Sequence, residues 1–264
     1  MVPSATVTVV IRFQATGRRA TLTIDDEERR NPLTNEAMAQ LLDAVHQACA
    51  DDEVGVIVIT GAGDRAFSAG GDLSGGFVDA PLADHGERGA LADLFRAMHR
   101  CPKPILARVN GHAFGGGLGI VAAADLAVCA DHAQLGTPEI SVGLWPMMIT
   151  AVLEPLVPRR ALLEMMLLGR RFDAIEAERL GLVNRVVPVA GLDSAVDEVV
   201  TQLLEQSPAA LALGKRAFYA VDDMDFDTAL DHLHHGLTAV ASTEDAAEGV
   251  AAFQDKRPPE WTGH

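Results

Sequence analysis

Residues 110–119 read NGHAFGGGLG, three consecutive glycines followed by a leucine and a fourth glycine. The stretch follows the apolar run ILARV (105–109) and leads into GIVAAADLAVCA, another apolar segment. Glycine in a helix interior costs about 0.5–1 kcal/mol relative to alanine. Three of them at a helix entrance therefore imply a need for bare backbone at Gly115, Gly116 and Gly117. A glycine turn entering a helix exposes N–H groups with no side chain in the way, and the helix dipole adds positive potential there. A second glycine turn, AFSAGGDL (66–73), follows the apolar run VGVIVIT (54–60). Two such N–H groups converging on one point make a site for a developing oxyanion. Losing one donor of such a pair typically costs about 2.7–4 kcal/mol of transition-state stabilisation.

Around these turns the chain alternates strand-like and helix-like patterns. TVTVVIRF and ATLTID read as two strands of a hairpin turning at Gly17. Met38, Leu41, Leu42, Val45 and Cys49 form a helical stripe over 34–50, with Thr34 placed as its cap. VGVIVIT then returns as a strand, so strand, helix and strand suggest a parallel crossover. A Gly/Asp/Pro-rich stretch, 61–86, reads as a loop, and 87–99 as a helix broken by CPKP. ILARV and LAVCA read as strands on either side of the glycine helix, and PEISVGLWPMM as irregular. Beyond about 158 the pattern becomes amphipathic helix, near 160–168, 174–180, 192–206, 208–221 and 225–241. The expected fold class is α/β, a parallel-sheet core followed by a C-terminal helical region. We divide it into a core, 1–195, and a helical oligomerisation or lid region, 196–264.

Composition narrows the partners. A net charge of −16 argues against nucleic acid or an anionic membrane surface. No apolar run approaches the roughly 20 residues of a membrane span, and the N-terminus reads as a first strand and not as a signal peptide. Cys49, Cys101 and Cys129 have no metal-like spacing and read as reduced residues of a cytoplasmic protein. HLHH (232–235) lacks companion ligands nearby and reads as a solvated helix face, so no metal is assigned. GAGDRA (61–66) and GLGIVA (117–122) both fit a dinucleotide fingerprint. Neither lies on a first βα turn with an acidic residue ending the next strand, which sets a nicotinamide or flavin enzyme aside.

The set ITGAGDRAFSAGGDL, KPILARVNGHAFGGGLGIVAAADLAV, AQLGTPEISVGLWP and FQDKRPPEWTG, in that order, resembles the crotonase (enoyl-CoA hydratase/isomerase) superfamily. LTIDDEERRNPLTNEAMAQLLDAV is similar to that family's opening segment, so the resemblance covers roughly residues 6–260. It implies a crotonase-like ββα spiral core binding an acyl-CoA thioester, with CoA as part of the substrate and no other cofactor. By motif position it implies Gly71 and Gly116 as the two oxyanion donors and Glu139, in GTPE, as the acid/base. It implies acyl-CoA contacts at Ala69, Gly70, Leu73 and Trp145, and CoA phosphate or adenine contacts near Arg30, Phe253 and Lys256. It also implies a homotrimer or homohexamer formed through the C-terminal helices.

One position departs from the family pattern. Hydratases of this family use two glutamates, the first lying two residues after the glycine triplet; here that position is Gly119. One carboxylate with an enolate-stabilising pair suffices for a Δ3,Δ2-enoyl-CoA isomerase, in which a single glutamate moves the proton from C2 to C4. Trp145, Met147 and Met148 suggest an apolar pocket that raises the pKa of Glu139. The expected activity is thus isomerase-type proton transfer. Alternatives are a 2-enoyl-CoA hydratase (lyase) working with one glutamate, or a weakly active acyl-CoA-binding subunit. A glutamate introduced at 119 is expected to reach the same space as Glu139. Asp72 and His112 read as structural residues.

Overall fold

A computed structural model describes residues 10–73, 86 and 89–264. The hairpin is present as β1 (Ile11–Thr16) and β2 (Arg19–Ile24), antiparallel with Ile11 opposite Ile24; positions 6–9 of the expected first strand lie outside the described residues. Gly17 closes the turn at φ 56°, a left-handed conformation that glycine adopts without a Cβ penalty. After the short β3 (Pro32–Leu33), α1 (Asn35–Ala50) begins under a Thr34 cap whose side chain accepts the Ala37 N–H at 3.0 Å. Its apolar stripe buries Met38, Leu41 and Val45. β4 (Val56–Gly61) then lies parallel to β2. This is the crossover the sequence predicts.

β4 is buried at every position, as a strand covered on both faces must be. Its alternation splits the core. Ile57 and Ile59 face one apolar layer with Leu41, Leu94 and Met98, while Val56 and Val58 face another with Leu192, Val196 and Val200. The main sheet continues through β7 (Ile105–Val109), β9 (Leu126–Ala130) and β12 (Arg185–Val187), in the order β1-β2-β4-β7-β9-β12.

The segment read as a loop, 61–86, holds two short strands, β5 (Ala66–Ser68) and β6 (Gly70–Gly71). β5 opens a second sheet with β8 (His112–Phe114), β10 (Gln134–Gly136) and β11 (Arg171–Asp173); β6 pairs with β3, Leu33 opposite Gly71. Strands of two or three residues are too short to show a period, which is why the pattern missed them. The helix expected at 87–99 is α2 (Ala90–Arg100); its predicted start, and the loop part 74–85, lie outside the described residues.

The glycine helix is α3 (Gly116–Ala123), and α4 (Met147–Leu153) occupies the end of the stretch read as irregular. The amphipathic helices follow as α5 (Arg159–Leu168), α6 (Ala174–Arg179), α7 (Leu192–Leu204), α8 (Pro208–Ala220) and α9 (Phe226–Ala241). A further helix, α10 (Glu244–Asp255), lay outside the predicted set; Thr243 caps it by accepting the Ala246 N–H. Among the described residues no helix is long and apolar enough to cross a membrane.

The cysteine reading needs correction. Cys49, near the end of α1, and Cys101, after α2, form a disulfide, while Cys129 is free and buried. The two partners are 52 residues apart, and their approach depends on how α1 and α2 pack, which spacing does not reveal.

Candidate active site

The N-terminal ends of α1, α2, α3 and α4 converge on one cavity of about 1230 Å³. α3 follows β8 directly, and Gly115 caps it at φ 52° with its N–H on Gly136 O at 3.0 Å. A Cβ on Gly115 would lie 2.8 Å from Glu139 Oε1, so the first glycine of the triplet makes way for the carboxylate. A Cβ on Gly117 would lie 2.6 Å from Ser68 Cβ, so the third lets α3 pack on β5. Between them Gly116 is the first residue of α3, and an N–H in that position has no intrahelical acceptor. Leu33 and Leu91 close over it, Leu33 Cδ1 falling 3.0 Å from where its Cβ would be.

The other glycine turn reaches the same cavity. Ala69, Gly70, Gly71 and Leu73 all line it. The turn is fixed at both sides: the Ala69 N–H donates to Arg30 O at 2.9 Å and the Asp72 N–H to Leu33 O at 3.2 Å. Arg29 forms an ion pair with the Asp72 carboxylate, in keeping with a structural role for Asp72. His112 is likewise held in the fold, its Nδ1 accepting the Gln134 N–H at 3.0 Å.

Glu139 stands in a 3₁₀ turn, Pro138–Val142, closed by Gly143 at φ 76°. Its Oε2 is buried and finds no hydrogen-bond partner among the described residues. Burial pushes its pKa above the ordinary glutamate value, because an ionised carboxylate loses hydration there without gaining a cation. Trp145, Met147 and Met148 line the cavity beside it, as the sequence suggested. Met147 is nevertheless 73% exposed, so the wall is open on that side.

Gly119 is closely packed. A Cβ there would overlap Ile149 Cγ2 and lie 2.6 Å from Phe95 Cζ, and both residues are buried. A glutamate at 119 therefore requires the Ile149 and Phe95 side chains to give way, so the space the sequence assigned to a second carboxylate is occupied here by these two residues.

Of the sequence-predicted site residues, the structure brings Glu139, Ala69, Gly70, Gly71, Leu73, Gly116 and Trp145 to one cavity. Arg30, Phe253 and Lys256 stand apart from its wall. Arg30 is exposed at φ 67°, Phe253 is 85% exposed on α10, and Lys256 caps that helix at φ 57°. Sequence reasoning missed Leu33, Leu91 and Glu36 in the wall. Glu36 is an exposed carboxylate in the first turn of α1, bonded to the Gln40 amide at 3.1 Å. Its position two residues after the Thr34 cap, in the first turn of the helix, was the available signal.

A mostly parallel sheet, a short second sheet and a glycine-capped helix opening on a cavity with one half-buried carboxylate define a crotonase-fold enzyme of acyl-CoA thioesters. The sequence matches the Enoyl-CoA hydratase/isomerase family over residues 17–264. A carnitinyl-CoA dehydratase of Salmonella arizonae is 40% identical over 226 residues, covering 81% of this chain and 84% of the relative. One from Escherichia coli K12 is 39% identical over 225 residues, covering 81% and 83%. The fold superposes on the crystal structure of an enoyl-CoA hydratase from Mycobacterium smegmatis with a TM-score of 0.92 at 32% identity, covering 96% of this chain and 99% of that one. The chain belongs to the enoyl-CoA hydratase/isomerase family.

Proposed function

We propose that this enzyme forms the enolate of an enoyl-CoA thioester, holding its oxygen on the N–H groups of Gly71 and Gly116 and moving its proton with Glu139. Glu139 takes a proton from C2 of a 3-enoyl thioester and returns it to C4, which makes the reaction Δ3,Δ2-isomerisation. The observation that carries this reading is the pairing of Glu139 with Gly119. One carboxylate is half-buried with its Oε2 buried and unpartnered among the described residues, and the position of a second is filled by Phe95 and Ile149. Desolvation raises the basicity of the carboxylate, which suits a group that must both take and return a proton near neutral pH.

A second reading is supported by the relatives named carnitinyl-CoA dehydratase and by Glu36, another carboxylate in the cavity wall. In that reading the enzyme adds or removes water across C2–C3 with Glu139 as principal acid/base. An acyl-CoA-binding subunit of low activity is the third. A panel of 2-enoyl-, 3-enoyl- and 3-hydroxyacyl-CoA substrates with product identification by mass spectrometry separates the three. Conversion of 3-enoyl- to 2-enoyl-CoA without addition of 18 mass units supports the isomerase. Dominant hydration supports the second reading, and tight binding without turnover the third.

We place the acyl-CoA phosphates near Arg30, and near Phe253 and Lys256 of a neighbouring subunit, with no metal or redox cofactor required. Residues 196–264 are assigned to oligomerisation or a lid, the catalytic core to 1–195. Exposed Phe218, Phe226, Leu237, Val250 and Phe253 support a homotrimer or homohexamer; a monomer by light scattering at micromolar concentration would contradict it. The cytoplasm remains the proposed compartment on the strength of the CoA substrate, since the disulfide removes the cysteine argument.

A further inference from the structure

α3 reads GGLGIVAA and is buried along its length. Its working end is set by close backbone packing of glycines, Gly117 on Ser68 and Gly119 on Ile149 and Phe95, with Leu118 the one side chain of the first turn. Its other end is held by polar side chains. Asp125, two residues past the helix, donates its N–H to Ile105 O at 2.9 Å, and its Oδ2 accepts the Ile105 N–H at 2.7 Å. The same Oδ2 pairs with Lys215 Nζ at 2.7 Å, and Oδ1 accepts the Tyr219 hydroxyl at 2.8 Å.

Lys215 and Tyr219 come from α8, in the C-terminal helical region. The Lys215 side chain is 9% exposed and also donates to Met98 O at 3.1 Å and Lys103 O at 3.0 Å. It therefore ties the C-terminal end of α2 to the chain leaving α3. Both helices reach the cavity at their opposite ends, α2 through Leu91 and α3 through Gly116. A lysine at helix C-termini also complements their dipoles.

We infer that Lys215 and Asp125 are positioning residues for the enolate-forming step, fixing the base of α3 and so the aim of the Gly116 N–H. The inference rests on the reading of Gly116 as an oxyanion donor. Eight residues of helix span about 12 Å at 1.5 Å per residue, so a tilt of about 5° at the base displaces Gly116 by about 1 Å. A misplacement of that size can cost about 100-fold in rate.

The test uses the double variant Lys215→Met/Asp125→Asn, which removes the clasp without leaving one buried charge unpaired, and Tyr219→Phe, which removes one bond and keeps the pair. Turnover of 3-hexenoyl-CoA, its KM, and the near-ultraviolet enolate absorbance of bound acetoacetyl-CoA are read for each. The double variant should lose about 10–100-fold in kcat and most of the enolate signal, with KM and acetoacetyl-CoA affinity within about threefold. Tyr219→Phe should move the same readings in the same direction by less, and it carries the test should the double variant fail to fold. A lowered melting temperature with kcat and enolate signal unchanged overturns the inference and leaves a structural clasp. Unmodified protein that turns over no enoyl-CoA and shows no enolate instead overturns the functional reading on which the inference rests.

Discussion

Adding a single methyl group at Gly119 tests whether the missing second carboxylate reflects packing. In Gly119→Ala the new Cβ overlaps Ile149 Cγ2 and comes within 2.6 Å of Phe95 Cζ. Neither neighbour is at a flexible surface: Ile149 is 2% and Phe95 6% exposed. Overpacking of a buried site costs about 1–3 kcal/mol, and replacing glycine by alanine in a helix returns about 1 kcal/mol. The net is a loss of about 0–2 kcal/mol, or up to about 8 °C in melting temperature for a chain of this size. Gly119→Glu adds a carboxylate with no partner in the same space and should lose several kcal/mol more. Truncating the obstructing side chain with Ile149→Ala should make Gly119→Glu less damaging in the double variant than in the sum of the singles. Urea unfolding of the four variants beside the unmodified enzyme reads these differences. Gly119→Glu alone retaining full stability while hydrating crotonyl-CoA efficiently would refute the packing argument.

The remaining predictions concern Glu139 and the cysteines. Because burial raises the folded-state pKa of Glu139 above its unfolded value, the native chain holds that proton more tightly. Its contribution to stability is therefore full below about pH 4.3, the unfolded value, and is lost as pH rises through the folded pKa. Glu139→Gln should remove that slope in urea titrations run from pH 4 to 8, and an unchanged slope would place the shift elsewhere. The acid limb of kcat/KM should likewise lie above the ordinary carboxylate range. Thiol titration in denaturant without reductant should find one thiol per chain, Cys129, and three after reduction. Reduction should lower stability by about 2–4 kcal/mol, and three thiols before reduction would show that the pair is open.

The parts of the fold that were legible in the sequence are those with a period. The stripe Met38–Leu41–Val45 and the run VIVIT placed α1 and β4, and with them the parallel crossover. The glycine turns were legible because glycine marks a backbone need that no side chain disguises. β6 and β10 were not, since two or three residues carry no alternation. Leu33 and Leu91 enter the site through tertiary packing on Gly116, a contact between segments 83 and 25 residues away along the chain. The meaning of Gly119 was half legible. Its identity announced a missing acid, while Phe95 and Ile149, which fill the place, gave no local sign of doing so.

The central claim is that Glu139 takes the C2 proton of a thioester held by Gly71 and Gly116. Exchange of label out of C2 of 2,2-dideuterated 3-hexenoyl-CoA, to C4 or to water, followed by NMR, reads that step whatever product is released. The unmodified enzyme should move it at least as fast as it turns over. Glu139→Gln should slow exchange by about 10²–10⁴-fold, the usual worth of a positioned general base, with the dissociation constant for the thioester changed by less than about threefold. Exchange that survives the substitution, or that is lost together with binding, would contradict the account.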